Sequence, residues 1–387
     1  MTPQIIKKKI KSSASNIWFI FLFLITLPSI FFCNETQIHP KQGNLFIPEF
    51  KLHGGGNISP LHIHYQTLGT PRRDAEGHIT NAVLLLHPTG GTGSTFLTPN
   101  FVQSLYGREK PLDLNYFFIV MPDCIGSGGS SKPSDGDYGK FPQFGYIDQI
   151  EAIHAMLQSL GILKERLVMG ISMGGMLTWL WGEYYSNETD ALVAIGSTPS
   201  QIAGRNLLWR QIIIEAIVND PNWNNGQPDP KRPMRKWSQT AGPLLMVMTE
   251  NPERILTSAP TREATLKLFD ESIKKIETTV NPYDMLYMYR SSFDYDPKPN
   301  LERITAPFLS INFIDDLVNP PELLHIPKQS NFQAVMLVKE ADLFGHKGIF
   351  HPEGWANDLA IFLNQMEFRK KSNQIPASFP HFLHVVF

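Results

Sequence analysis

The chain has 387 residues, 42% of them apolar, with a formal net charge of -2. That is enough apolar material for one large core or a core with a sizeable insertion, while the near-neutral balance excludes the basic surface that a phosphate backbone demands, so no nucleic acid is expected as a partner. The two cysteines, Cys33 and Cys124, form no disulfide framework and no zinc-ligand spacing, so no metal is expected.

Lys7, Lys8, Lys9 and Lys11 precede a charge-free apolar run from Ile17 to Cys33. This is the pattern of a signal peptide or signal anchor over residues 1-36, and it predicts an exported or membrane-anchored protein rather than a cytoplasmic one. Phe31, Phe32 and Cys33 are bulky where a cleavage site needs small residues, which leaves membrane attachment through residues 17-33 open. A polar linker is expected from there to about Pro48.

Ala82 to His87 (AVLLLH) and Tyr116 to Met121 (YFFIVM) are short apolar runs that end in turn-forming loops, so both are predicted as buried strands. Ile147 to Leu160 has helical spacing, and Arg166 to Ile171 (RLVMGI) is a third strand, giving the strand-helix-strand order of a parallel sheet. A helix from Met173 to Tyr185 and a strand from Ala191 to Gly196 follow. The alternation then lapses between about Ser200 and Asn300, where helical stretches at Leu207 to Val218, Pro260 to Thr278 and Tyr283 to Ser291 flank a loop at Asn219 to Pro233. Strands at Phe308 to Phe313 and Ala334 to Val338 and a helix at Glu353 to Gln365 complete the pattern. These elements predict a core over 45-198 and 301-367, a helical lid over 199-300 and a tail over 368-387.

Gly170-Ile171-Ser172-Met173-Gly174-Gly175 is a G-x-S-x-G sequence set between a strand and a helix. Its serine must sit on a strained turn, and its glycines allow strand and helix to approach closely. Such a hydroxyl needs a histidine base and an acid, in the chain order serine, acid, histidine. Asp316, in FIDDLVNPP, is the expected acid because a proline follows after three residues; its neighbour Asp315 is the competitor, and an Asx-turn is the non-catalytic alternative for either. His346, 30 residues after Asp316, is the expected base, with His351 as competitor, while His62, His64, His87 and His154 precede the serine and are read as structural. The oxyanion donors are expected to be the backbone N–H groups of Met173 and of Thr89, in the loop His87-Pro88-Thr89-Gly90-Gly91.

SMGGM at Ser172, HPTGG at His87, EAIVNDPNWNNG at Glu215, DDLVNPPEL at Asp315 and GHKGIF at Gly345 together resemble the homoserine O-acetyltransferase family, a branch of the α/β-hydrolase superfamily. The resemblance spans roughly residues 50 to 365 and implies an α/β-hydrolase fold: a mostly parallel sheet flanked by helices, with an inserted helical lid. It further implies acetyl transfer from acetyl-CoA to an alcohol through Ser172, with Asp316 and His346 completing the triad, in a protein commonly dimeric through its lid. Two places depart from the family. Cys124 to Gly136 reads CIGSGGSSKPSDG, closer to ester hydrolases, and Asp148-Gln149-Ile150-Glu151 stands where the family carries an arginine. With the leader, these departures favour a hydrolase of a small ester or related acyl bond that needs no cofactor. An acetyl-CoA-dependent O-acyltransferase and a non-catalytic binding protein of the same fold remain as alternatives, and the expected partner is a small-molecule acyl substrate.

Overall fold

The computed structural model describes residues 38–324, 334–340 and 343–372. The expected leader and the tail beyond 372 lie outside the described residues. Eight strands form one sheet: β1 Lys41–Ile47, β2 Leu61–Leu68, β3 Ala82–Leu86, β4 Phe118–Pro122, β5 Leu167–Ile171, β6 Leu192–Ile195, β7 Phe308–Phe313 and β8 Ala334–Lys339. Their order is β1-β2-β4-β3-β5-β6-β7-β8. β2 runs antiparallel to β1 and β4, and the pairs from β4 to β8 are parallel.

The central strands read as apolar runs because both of their faces are covered. Leu84, Leu86, Val120, Val168 and Leu192 join one core with Ile153, Leu177 and Trp179 of α2 (Tyr146–Ser159) and α3 (Met173–Tyr185). Their neighbours Val83, Leu85, Ile119, Met169 and Val193 join a second core with Phe101 of α1 (Pro99–Leu105) and Leu359 of α9 (Ala356–Ser372). Between β6 and β7 stand α4 (Gly204–Val218), α5 (Ser238–Thr249), α6 (Pro252–Ser258), α7 (Arg262–Thr279) and α8 (Pro282–Arg290).

The structure departs from the sequence reading at β1 and β2, at helices α1, α5 and α6, and at the end of α9, which runs on to Ser372. Residues 41 to 47, expected as linker, form the edge strand β1, whose register pairs Leu45 with Ile63 of the unpredicted β2. β1 is exposed or half-buried throughout, so it carries little apolar signal. Helix α5 was unexpected because Gly242-Pro243 reads as a break. The helix continues through it, and Gly242 allows the close approach of α7: a Cβ there would stand 2.5 Å from the Ser272 carbonyl oxygen.

Glu165, which precedes β5, is 1% exposed. Burial, aided by the nearby Glu188 carboxylate, raises its carboxyl from 4.5 to about 8. A carboxyl raised in the folded state stabilises the fold below the unfolded value and loses that contribution as the pH climbs through the folded one. The Glu165→Gln protein should therefore melt a few degrees above the parent near pH 9 and close to it near pH 5 in thermal unfolding scans. Parallel melting curves across that range would contradict a buried, ionising Glu165.

Candidate active site

The register sets Leu86, Gly170, Ala194, Ser310 and Met336 side by side across β3, β5, β6, β7 and β8. The loops that leave this edge are therefore neighbours, as the carboxyl edge of an open α/β sheet requires of a ligand site. Ser172 leaves β5 with φ 52° and ψ -114°, a left-handed backbone that a non-glycine residue adopts only under constraint. The glycines around it supply that constraint. A Cβ on Gly170 would strike the Gly174 carbonyl, and one on Gly174 would strike the carbonyl of Leu86, so α3 starts directly against β5 and β3.

Ser172 Oγ lies 2.8 Å from His346 Nε2, and His346 Nδ1 lies 2.7 Å from Asp316 Oδ2. A carboxylate can only accept, so Nδ1 donates and Nε2 is left to accept the serine proton. Asp316 Oδ1 accepts from the Val318 and Asn319 N–H groups at 2.7 and 2.9 Å. The Asx-turn and the contact with the base thus occupy different oxygens of one side chain. All three residues are buried.

The competing residues face elsewhere. Asp315 Oδ2 accepts from the Gly345 N–H at 2.6 Å and from Asn251 Nδ2 at 2.7 Å. His351 bonds Glu353 and stacks on Phe344. His64 bonds Asp123, and His154 bonds Glu188. His87 is fully buried, which lowers its pKa and keeps it neutral; its Nε2 accepts from the Cys124 N–H and its Nδ1 donates to the Pro88 carbonyl, tying the β3 and β4 loops together. Burial also pushes the Cys124 thiol far up, which removes it as a nucleophile.

Met173 is the first residue of α3, where no helical carbonyl is available to its N–H. Among the described residues neither that N–H nor the Thr89 N–H has a protein acceptor. The Thr89 Oγ1 atom is buried and likewise unpartnered.

One polar pair escaped the sequence reading. The buried stripe of α4 runs Asn206, Trp209, Arg210, Ile213, Ile214 and Ile217, so an amide and a guanidinium lie on an apolar face. That placement was the available signal. Asn206 Nδ2 donates to the Val318 carbonyl and to Asn319 Oδ1, and Arg210 Nε donates to Asn206 Oδ1 at 2.8 Å, linking the lid to the Asp316 loop. The Arg210 guanidinium lies over the Trp209 and Tyr289 rings and near the Tyr146 hydroxyl, and one of its terminal nitrogens is buried. Asp148 and Glu151 are engaged elsewhere: Asp148 accepts from the Gly145 and His53 N–H groups, and Glu151 bonds the His53 ring. Of the lid tryptophans, Trp223 stacks on Tyr283, Trp209 meets Tyr289 edge-on and Trp237 is fully buried.

Comparison with known proteins agrees with this architecture. A family model described as alpha/beta hydrolase fold matches residues 81–242. A protein of Methanothermobacter thermautotrophicus named "Probable acyltransferase" is 28% identical over 306 residues, covering 78% of this chain and 91% of that protein. A homoserine O-acetyltransferase of Leptospira biflexa is 30% identical over 223 residues, 54% of this chain and 57% of the enzyme. The structure of an acetylester hydrolase from Corynebacterium glutamicum superposes with a TM-score of 0.73 at 20% identity, over 84% of this chain and 96% of that one. The chain has the α/β-hydrolase fold. Within that fold it is similar in sequence to homoserine O-acetyltransferases.

Proposed function

We propose that the chain is a serine hydrolase of a small ester or related acyl bond, working through an acyl-enzyme on Ser172. The observation that carries this reading is the hydrogen-bonded line from Ser172 Oγ through His346 to Asp316 Oδ2. His346 Nε2 takes the serine proton as Oγ adds to the substrate carbonyl, and Asp316 holds the imidazole in the required tautomer and offsets its charge. The Met173 and Thr89 N–H groups are free to meet the resulting oxyanion. The tetrahedral adduct expels the alcohol, which leaves with the proton from His346 Nε2. Water then repeats the sequence on the Ser172 ester and releases the acid. No cofactor enters either half-reaction.

The apolar run at 17-33 supports export or membrane anchoring, a setting in which water is the abundant acyl acceptor. Among the described residues no helix is long and apolar enough to cross a membrane, and the run itself lies outside them.

A specific observation favours acyl transfer as a second reading. The buried Arg210 guanidinium, next to the Asp316 loop, would donate to the carboxylate of an amino-acid alcohol, with acetyl-CoA as the acetyl source. Under that reading Arg210→Lys raises KM for the acceptor by about tenfold or more, because lysine loses the fixed fork, while ester hydrolysis stays within about threefold. An unchanged acceptor KM removes the transfer reading's structural support.

The test follows p-nitrophenyl acetate release with and without homoserine, alongside separate assays of acetyl-CoA consumption. Release indifferent to homoserine, with acetyl-CoA untouched, supports the hydrolase. Acetyl-CoA consumption that requires an amino-acid alcohol overturns it in favour of transfer. A well-folded protein that neither turns over ester nor reacts with a fluorophosphonate is a binding module.

A further inference from the structure

Asp315 is a charged residue beside the site that the chemistry above does not use, and its contacts are specific. Its Oδ2 joins two partners that are far apart in sequence: the N–H of Gly345, next to the proposed base, and the side-chain amide of Asn251 at the head of α6. Asn251 is buried and is itself fixed, since its Oδ1 accepts from the Glu253 and Arg254 N–H groups and caps that helix. Gly345 adopts φ 63°, and a Cβ on it would lie 2.9 Å from the Asn251 nitrogen, the Glu250 carbonyl carbon and the Thr249 carbonyl oxygen. The two segments are thus in backbone contact.

Two further pairs bridge the same seam. Lys347 Nζ lies 2.6 Å from Glu250 Oε2, and the Arg254 guanidinium sits 4.1 Å over the Phe344 ring. Residues 344, 345 and 347 surround His346, and each is held by the corner between α5 and α6. Asp315 also immediately precedes Asp316, so one short loop grips both the acid and the segment bearing the base.

We propose that Asp315 is a positioning residue: it ties the His346 loop to the α5–α6 corner of the lid, so that the seating of this corner sets the alignment of His346 with Ser172. This deepens the hydrolase reading and rests on it for its kinetic consequence, although the tie itself has a readout that needs no turnover. A base displaced by a fraction of an ångström misses the serine proton while substrate still binds. The defect therefore falls on kcat.

The test uses the full chain with Asp315→Ala, Asp315→Asn and Asn251→Asp. Asp315→Ala removes the acceptor. Asp315→Asn keeps an oxygen for both donors. Asn251→Asp preserves the α6 cap but sets two carboxylates against each other. Asp315→Ala and Asn251→Asp should each lower kcat for p-nitrophenyl acetate by about tenfold to a hundredfold with KM within about twofold, and Asp315→Asn should recover most of the loss. In parallel, the low-field NMR resonance of the His346–Asp316 proton should broaden or vanish in the first two variants and persist in Asp315→Asn. Parent-like resonance and kcat in Asp315→Ala, or in Asn251→Asp if the alanine variant does not fold, overturn the proposal. A parent that turns over no ester but loses the resonance in these variants refutes the hydrolase reading and leaves the tie standing.

Discussion

Ser172→Ala should fold as the parent does and lose about 10⁵- to 10⁶-fold in kcat for p-nitrophenyl acetate. The substitution keeps the Cβ, so the left-handed backbone at φ 52° and the glycine contacts around it make the same demands of alanine as of serine. What is removed is a single oxygen, the one 2.8 Å from His346 Nε2. Because nucleophile and base act as a unit, His346→Ala should cost about as much, and the double variant little more than either alone. Turnover by purified variants, corrected for the spontaneous rate, and labelling by a fluorophosphonate decide the matter. Substantial turnover by Ser172→Ala would mean that His346 activates water directly, and independent, additive losses would mean that the two side chains do not work on one proton.

The fold was most legible where burial is complete on both sides. β3 and β7 are uniformly buried: AVLLL stands out as an apolar run without any alternation to decode, and FLSINF stays largely apolar around its buried Ser310 and Asn312. β2 escaped because polar His62 and His64 interrupt its apolar positions, and their partners Asn44 and Asp123 lie in distant segments. The helix α5 escaped for the opposite reason, because a local break signal at Gly242-Pro243 is overruled by contact with α7, a distant segment that no local window includes.

Ser172 could be singled out because the elbow is a local steric device: Gly170, Ser172 and Gly174 are close in sequence as well as in space. Chain order excludes the histidines before Ser172 but does not separate His346 from His351 five positions on; the two differ wholly in what they touch. Arg210 marks the limit of such reading. A buried guanidinium becomes intelligible only when Asn206, Trp209 and Tyr289 are assembled around it, and the sequence places Tyr289 in a different helix.

The choice between adjacent carboxylates gives the second large effect. Asp316→Asn should lower kcat by about 10⁴-fold with its fold intact, whereas Asp315→Asn should stay close to the parent. The asymmetry follows from which atoms face donors. Asp316 Oδ1 receives two backbone N–H groups, so an asparagine there must turn its carbonyl to Val318 and Asn319 and its amide toward His346. The amide donates, forcing Nδ1 to accept and moving the ring proton to Nε2, where it blocks acceptance from Ser172 Oγ. The reverse orientation would leave two buried N–H groups facing another donor, at a cost of about 1–3 kcal/mol each, and is disfavoured. At Asp315 both donors converge on one oxygen, Oδ2, which an asparagine carbonyl can replace; its amide then takes the buried place of Oδ1, which has no partner to lose among the described residues. Measuring kcat for the two variants beside their melting temperatures separates the roles. Equal losses, or the larger loss at 315, would transfer the acid's role to Asp315.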